Sequence, residues 1–399
     1  MQGKNDIDLR VLSEAIEGSE KVKQKYNENT EYDASSLETR ESITGKCNFN
    51  CIYCTDYTTA NFDKAYSYWI RLNGSLTGFG IKGLHHTGGE PTFREHFPEY
   101  VEVMKKLGFA SQVLTTNGAR PWIIESAIEA GITRVNISLD TLDPKKFAQM
   151  ARVKSALHKL VLESVDISTK KLKTVKINVV VTVGNFHELD EILNFAQSKK
   201  AVLRLIELYP YGPSIEGGKL DYDKTHVPKE KILEFLGRYG ELQPVSVEGI
   251  NAVPKYFKVS TLETPVALIS PEWTIGGATC GRDCCIRLRV GASGNITYCN
   301  NIPAIKGDYL ENMNTIEMAE AISPLIKSKV RRLRFATFPK VHPFAYGRLR
   351  FGIEKSSKEE QTIDSRLKIM QLREVQEEIE NNIIMESATM QAYIPERKI

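Results

Sequence analysis

The sequence predicts an α/β protein whose parallel strands curl into a partial (β/α)6 barrel of the TIM type. Six short β-branched runs recur between residues 37 and 212, helical stretches fall between them, and chemically able residues follow the runs. Strands separated by helices are joined by crossovers and lie parallel, and curling is one way to cover both faces of such a sheet. The expected strands are Thr39–Thr44, Ile81–His86, Ser111–Thr116, Arg134–Leu139, Val175–Val181 and Val202–Leu208; helices include Ala65–Leu76, Phe97–Leu107, Trp122–Ala130 and Glu188–Gln197. Ligands gather beyond the carboxyl ends of parallel strands. Cys47 follows the first strand, Gly88-Gly89-Glu90 the second, Asn117 the third and Asp140 the fourth.

Outside this array the pattern changes. Residues 1–36 form a polar extension, in which Leu9, Leu12 and Ile16 could line one face of a helix. Residues 213–310 begin as a linker with a helix over Pro228–Tyr239 and become a small β-rich domain, with strands at Tyr256–Val259, Val266–Ser270, Ile286–Val290 and Asn295–Cys299. The last two flank a Gly291–Gly294 turn. Residues 311–399 read as a helical extension, with a basic run at Lys327–Arg334 and a charged helix over Ile363–Met385.

Composition narrows the function classes. The 53 basic and 50 acidic side chains nearly cancel, a balance that speaks against a nucleic-acid coat or a membrane-surface protein. No apolar run approaches the roughly 18 residues of a membrane span. The polar start Met1-Gln-Gly-Lys lacks the apolar stretch of a secretory signal, so a cytoplasmic protein with reduced thiols is expected. Its seven cysteines sit at 47, 51, 54, 280, 284, 285 and 299, among Gly, Asn, Thr and charged residues rather than in apolar segments. They read as two thiolate groups, each holding a metal centre, and not as core filler.

Cys47-x3-Cys51-x2-Cys54 directly follows the first strand. Three thiolates on one tight loop can hold three irons of a cubane cluster and leave the fourth open. A structural zinc site asks for four protein ligands, often as paired knuckles, and none is present here. With the aromatic Tyr53 before the last cysteine, this loop resembles that of the radical S-adenosylmethionine (radical SAM) superfamily. The resemblance implies a [4Fe–4S] cluster whose open iron chelates S-adenosylmethionine, and an electron from it that releases methionine and a 5′-deoxyadenosyl radical. A low-potential donor such as flavodoxin or ferredoxin is then implied, with no nucleic-acid or membrane partner.

Further motifs narrow the resemblance. Thr87-Gly-Gly-Glu-Pro91, Thr115-Thr-Asn-Gly118, Asn136-Ile-Ser-Leu-Asp140, Lys176-Ile-Asn178, Arg204-Leu-Ile-Glu207, Tyr209-Pro-Tyr-Gly212 and Val266-Ala-Leu-Ile-Ser-Pro271 occur in the order seen in the GTP 3′,8-cyclases of molybdenum-cofactor biosynthesis. By this resemblance Gly88, Gly89, Glu90, Thr116, Asn117, Ser138 and Arg204 would bind S-adenosylmethionine, with Glu90 accepting from its ammonium group. A second [4Fe–4S] cluster would be held by Cys285 and Cys299, thirteen residues apart, with Cys280 or Cys284 as the third ligand; Cys280 is preferred, because adjacent cysteines on an extended strand point to opposite faces. A zinc site made of Cys280, Cys284, Cys285 and Cys299 is the alternative. Arg40, Arg287 and Arg289 match the family's substrate-contacting arginines and are expected to converge unpaired on the barrel mouth. The family's Lys and Arg upstream of the Gly-Gly-Glu element are missing; Ile81-Lys-Gly-Leu-His-His86 offers at most His85 or a shifted Lys82.

The sequence therefore reads as a radical SAM enzyme abstracting hydrogen from a phosphorylated nucleoside. A relative acting on another small molecule or a peptide in a specialised pathway is the alternative. A non-catalytic iron–sulfur carrier is the reading from a different class, and it has no use for an intact Thr87–Pro91 element.

Overall fold

The computed structural model describes residues 7–26, 29–54, 63–210, 220–245, 255–271, 286–299 and 302–335. Six parallel strands run in sequence order as expected: β1 (Glu38–Ser42), β2 (Gly83–Thr87), β3 (Ser111–Thr116), β4 (Arg134–Ser138), β5 (Val175–Val181) and β6 (Val202–Glu207). Helices α2 (Tyr66–Gly78), α3 (Phe97–Lys106), α4 (Pro121–Ala130), α5 (Pro144–Ala151), α6 (Leu157–Lys171) and α7 (Leu189–Ser198) cover the outer face. The outward residues of the strands, among them Leu84, Leu114, Val135, Ile137, Ile177, Leu203 and Leu205, are buried in one continuous apolar core. Among the described residues no helix is long and apolar enough to cross a membrane.

The β-rich stretch does not form a sheet of its own. After short helices α8 (Tyr222–Thr225) and α9 (Lys229–Gly237) come β7 (Leu242–Val245), β8 (Lys255–Val259) and β9 (Val266–Ile269), and β9 pairs parallel with β6. At the opposite edge β10 (Arg287–Val290) pairs parallel with β1, followed by β11 (Ile296–Cys299) and β12 (Ile302–Ile305) as antiparallel neighbours. The order is β12-β11-β10-β1-β2-β3-β4-β5-β6-β9-β8-β7. An unpaired edge is a row of unsatisfied amides and carbonyls. Both edges of the six-stranded array are thus closed by residues more distant in sequence than the pattern of local alternation can reveal.

Curvature follows from electrostatics across the sheet. From β10 to β6 is six strand spacings, about 29 Å if the sheet were flat. Yet the Arg204 guanidinium of β6 is perturbed by Arg287 of β10 and by Arg134 of β4. Those side chains face one another across a lumen, so the sheet is a partial barrel.

The N-terminal helix α1 (Leu9–Tyr26) is part of this core. Its buried face is Leu12, Ala15, Gly18 and Val22, while Leu9 and Ile16, expected on that face, are 67% and 41% exposed. Small residues decide the face because the helix lies very close to its neighbours. A Cβ on Gly78 of α2 would sit 2.6 Å from the side chain of Val22, and one on Gly18 would sit 2.6 Å from Thr315, the first residue of α11 (Thr315–Phe335), which follows short α10 (Gly307–Leu310).

Candidate active site

The cysteine loop leaves β1 at the carboxyl-end mouth of the barrel and is fixed from two sides. Asn50 and Ile52 donate backbone N–H bonds to the carbonyls of Ala151 (3.1 Å) and Met150 (2.9 Å) at the end of α5. Asp63 takes the Thr44 hydroxyl at 2.6 Å and the Gly45 N–H at 2.8 Å. Cys47, Cys51 and Cys54 are all half-buried free thiols. Burial pushes the Cys47 thiol up to about 11 and the Cys51 thiol further, and the charge on each neighbouring thiolate adds to the rise. Three thiols in mutual electrostatic reach are a donor set that becomes favourable as thiolates only beside a cation. No three His, Cys, Asp or Glu side chains among the described residues close round a single ion. Thiolates that each take one iron of a cubane do not need to do so.

Tyr53 has a specific partner. Its hydroxyl donates to Asp140, just beyond β4, and the other Asp140 oxygen accepts the Val180 N–H at 2.7 Å. Burial raises the Asp140 carboxyl to about 6, against both of these bonds. The aromatic residue thus ties the cysteine loop to the ends of β4 and β5.

The Gly88-Gly89-Glu90 turn lies directly on the start of the cysteine loop. The N–H groups of Gly89 and Glu90 donate to the carbonyls of Thr44 (2.7 Å) and Lys46 (2.8 Å). A Cβ on Gly89 would lie 2.1 Å from the Lys46 oxygen, which is backbone and has no rotamer to give. Gly89→Ala is therefore expected to separate the two loops and cost about 1–3 kcal/mol or more; a thermal midpoint and a cluster content both matching wild type would contradict this.

Glu90 is buried and held by its own chain. One oxygen accepts from the Thr92 N–H (3.0 Å), the Thr92 hydroxyl (2.7 Å) and the Thr116 hydroxyl (2.7 Å), and the other from the Asn117 N–H (2.6 Å). Burial raises its carboxyl and these bonds work against the rise. A carboxylate offers about four acceptor positions, two on each oxygen, so the oxygen that takes only the Asn117 N–H keeps one open. Asn117, so placed, donates to Asn48 Oδ1 at 2.8 Å. Gly88, Gly89, Glu90, Thr116, Asn117 and the cysteine loop form one connected wall of the mouth, and Ser138 ends β4 on the lumen face beside Asn178 of β5.

Arg204 belongs to a different group. It donates to Asn178 Oδ1 at 2.7 Å and lies with Arg134, Lys176, Tyr256 and Arg287 deeper in the lumen. Lys176 is 2% exposed; its ammonium position donates to the Tyr256 hydroxyl at 2.6 Å and lies 5.0 Å from that ring. Burial first, then the three arginines, bring this amine down to about 6. Arg287 is not unpaired as expected: its Nε lies 3.4 Å from Glu38, so β10 brings the guanidinium to a carboxylate on its neighbouring strand β1. Nor do the proposed substitutes for the missing upstream cations supply charge. Lys82 is exposed below β2, and burial takes His85 down to about 3, so its neutral ring sits 3.3 Å from Glu38. Arg40 and Arg289 pair in register across β1 and β10, one inward step nearer the mouth.

Cys280, Cys284 and Cys285, like Tyr211 and Gly212, lie outside the described residues, and Cys299 is placed as the last residue of β11. Sequence reasoning missed Glu38, Arg134 and Tyr256 and used Lys176 only as part of a motif. Their signal is a period of two: Arg134, Asn136 and Ser138, then Lys176 and Asn178, put polar groups on one side of strands whose other side is Val and Ile.

Comparison with known proteins decides the family. The model of the radical SAM superfamily matches residues 42–196. GTP 3′,8-cyclase of Marinobacter nauticus is 30% identical over 267 residues, covering 65% of this chain and 78% of that protein. The chain belongs to the radical SAM superfamily. Within it the protein is a divergent member of the group that contains the GTP 3′,8-cyclases; that of Thermodesulfovibrio yellowstonii is 29% identical over 331 residues, 80% of this chain and 97% of the relative. The crystal structure of Streptococcus suis SuiB bound to S-adenosylmethionine superposes with a TM-score of 0.49 at 16% identity, over 73% of this chain and 67% of that one. A radical SAM enzyme uses S-adenosylmethionine and a [4Fe–4S] cluster, and the cysteine loop at the mouth is a donor set that fits one.

Proposed function

We propose that this radical SAM enzyme abstracts hydrogen from a phosphorylated nucleoside, in a reaction of the GTP 3′,8-cyclase type. The observation that carries the reading is the lumen below the cysteine loop: Arg134, Lys176, Arg204 and Arg287 share one buried space, and a guanidinium fork suits phosphate oxygens. An anion entering that space would relieve the mutual repulsion that lowers Lys176, and the amine would take up a proton as it binds.

In this reading Cys47, Cys51 and Cys54 hold the cluster, and when bound with S-adenosylmethionine it supplies the radical chemistry. The chain's own work is positioning. Glu90 fixes the Asn117 N–H and the Thr116 hydroxyl and keeps an acceptor position for the cofactor's ammonium group, beside the Gly88–Gly89 backbone, Asn117 and Ser138. Tyr53 and Asp140 hold the loop against the barrel. Arg40 and Arg289, nearer the mouth, and Arg287 and Arg204 below them, orient the substrate. Cys280, Cys285 and Cys299 would hold a second [4Fe–4S] cluster, brought to the barrel edge by the β10–β11 hairpin. The similarity to GTP 3′,8-cyclases supports both the second cluster and the nucleotide.

The test is 5′-deoxyadenosine formation by anaerobically reconstituted protein, with a panel of nucleoside mono-, di- and triphosphates. One charge-assisted bond is worth about 1.5–3 kcal/mol, so Arg287→Ala should weaken the stimulating nucleotide by about one to two orders of magnitude with iron content unchanged. No stimulation by any nucleotide, or a stimulated rate indifferent to Arg287→Ala, would replace this reading with a non-nucleotide substrate.

A further inference from the structure

The lumen contains an internal anion whose place is informative. Glu38 is the first residue of β1, so its carboxylate lies at the end of the lumen farthest from the cysteine loop, which leaves the opposite end of the same strand. It reaches Arg287 Nε at 3.4 Å and His85 Nε2 at 3.3 Å, and its side chain is 16% exposed. Burial disfavours its charge, but the His85 hydrogen bond and the charge and hydrogen bond of Arg287 outweigh that and hold the carboxyl below its usual range. Among the described residues it is the one carboxylate in a group that otherwise comprises Arg134, Lys176, Arg204, Arg287, the neutral His85 ring and the Tyr256 hydroxyl.

A substrate whose reacting carbon sits near the cysteine loop must send its anionic tail down the lumen toward this floor. A short tail is met by Arg40, Arg289 and Arg204 and ends at Arg287 without displacing Glu38 from it. A longer tail brings its terminal phosphate against a fixed carboxylate and competes with it for Arg287. Like charges placed face to face in a low-dielectric site are a means of rejection as effective as any attractive contact. His85 adds no cation to offset it.

We propose that Glu38 is a specificity-determining residue that caps the phosphate-binding lumen and selects a nucleoside monophosphate over the corresponding triphosphate. This rests on the nucleotide reading above and deepens it. The discrimination is by tail length, so it acts independently of which base the mouth accepts.

The experiment measures binding by calorimetry to the anaerobically reconstituted full chain, with guanosine mono-, di- and triphosphate and with inorganic phosphate and tripolyphosphate as base-free probes. Wild type should bind the monophosphate at least as tightly as the triphosphate. Glu38→Gln, which keeps the shape and removes the charge, should move the triphosphate-to-monophosphate affinity ratio by at least about tenfold toward the triphosphate. His85→Arg, which adds a cation beside an intact Glu38, should move it the same way and keeps the test alive if the first variant does not fold. A ratio that neither folded variant changes, or a wild type that already prefers the triphosphate, overturns the proposal and leaves the nucleotide reading standing. Absence of binding by every nucleotide while tripolyphosphate binds Glu38→Gln more tightly than wild type overturns the nucleotide reading and upholds Glu38 as the cap on tail length.

Discussion

Replacing Cys47, Cys51 and Cys54 together by alanine should abolish cleavage of S-adenosylmethionine and remove ~half of the iron, since two four-iron clusters are proposed. The loop carrying them is held by groups that the substitutions leave in place. Asn50 and Ile52 keep their bonds to the end of α5, Asp63 keeps Thr44 and Gly45, and the Gly88–Glu90 turn keeps its carbonyl partners. The fold should survive, so the loss can be read as loss of chemistry. Iron and sulfide per chain, the far-ultraviolet circular dichroism and 5′-deoxyadenosine yield are the three measurements. Residual 5′-deoxyadenosine above a no-enzyme control would mean that another part of the chain generates the radical.

The second large effect is on stability and lies outside the lumen. Glu41 points from β1 toward the helices and is fully buried. One of its oxygens meets His86 Nδ1 at 2.8 Å, Asn73 of α2 donates to the other at 2.9 Å, and the Tyr100 hydroxyl of α3 lies 3.0 and 3.1 Å from the two. His86 Nε2 meets Gln112 Oε1 at 2.8 Å, and Gln112 donates its amide N–H to the Val101 carbonyl at 3.0 Å. That last bond fixes the amide orientation, so His86 donates from Nε2. Truncating one member leaves the others buried without a partner. Glu41→Ala should cost about 3–5 kcal/mol and lower the thermal midpoint by roughly 5–10 °C. Replacing Glu41 and His86 together by Leu should recover only part of this, because the pair goes but Asn73, Tyr100 and Gln112 each lose a partner. A Glu41→Ala midpoint equal to that of an exposed substitution on α1 would show that the network contributes no net stability.

Strand positions were legible where polar punctuation bounds a β-branched run: β3 and β5 have the expected limits, and the other four strands of the array differ by a residue or two. The cysteine loop and the Gly-Gly-Glu turn were legible because their chemistry lies in local spacing. Three kinds of information were not local. The buried face of α1 is set by how closely Gly18 and Ala15 let neighbours approach, which a search for large apolar residues overlooks. The pairing of β10 with β1 joins residues 249 apart. Glu38 lay just before the expected first strand and His85 stood only as a substitute cation until the curvature of the sheet set them near Arg134 and Lys176.

The closing of the barrel edge also has a consequence in time. As the chain is made, β1 emerges early, but the strand that covers its outer edge is 249 residues away. At about 5–20 residues per second, that edge stays open for roughly 10–50 s of synthesis. A bare, flat edge exposed for so long invites pairing with any other nascent strand. The sequence of β1, Glu38-Thr-Arg-Glu-Ser42, puts three charges on five residues, a composition that resists such pairing. The strand that carries the proposed floor of the substrate site and anchors the helix layer thus also carries the charges that would oppose such pairing until β10 arrives.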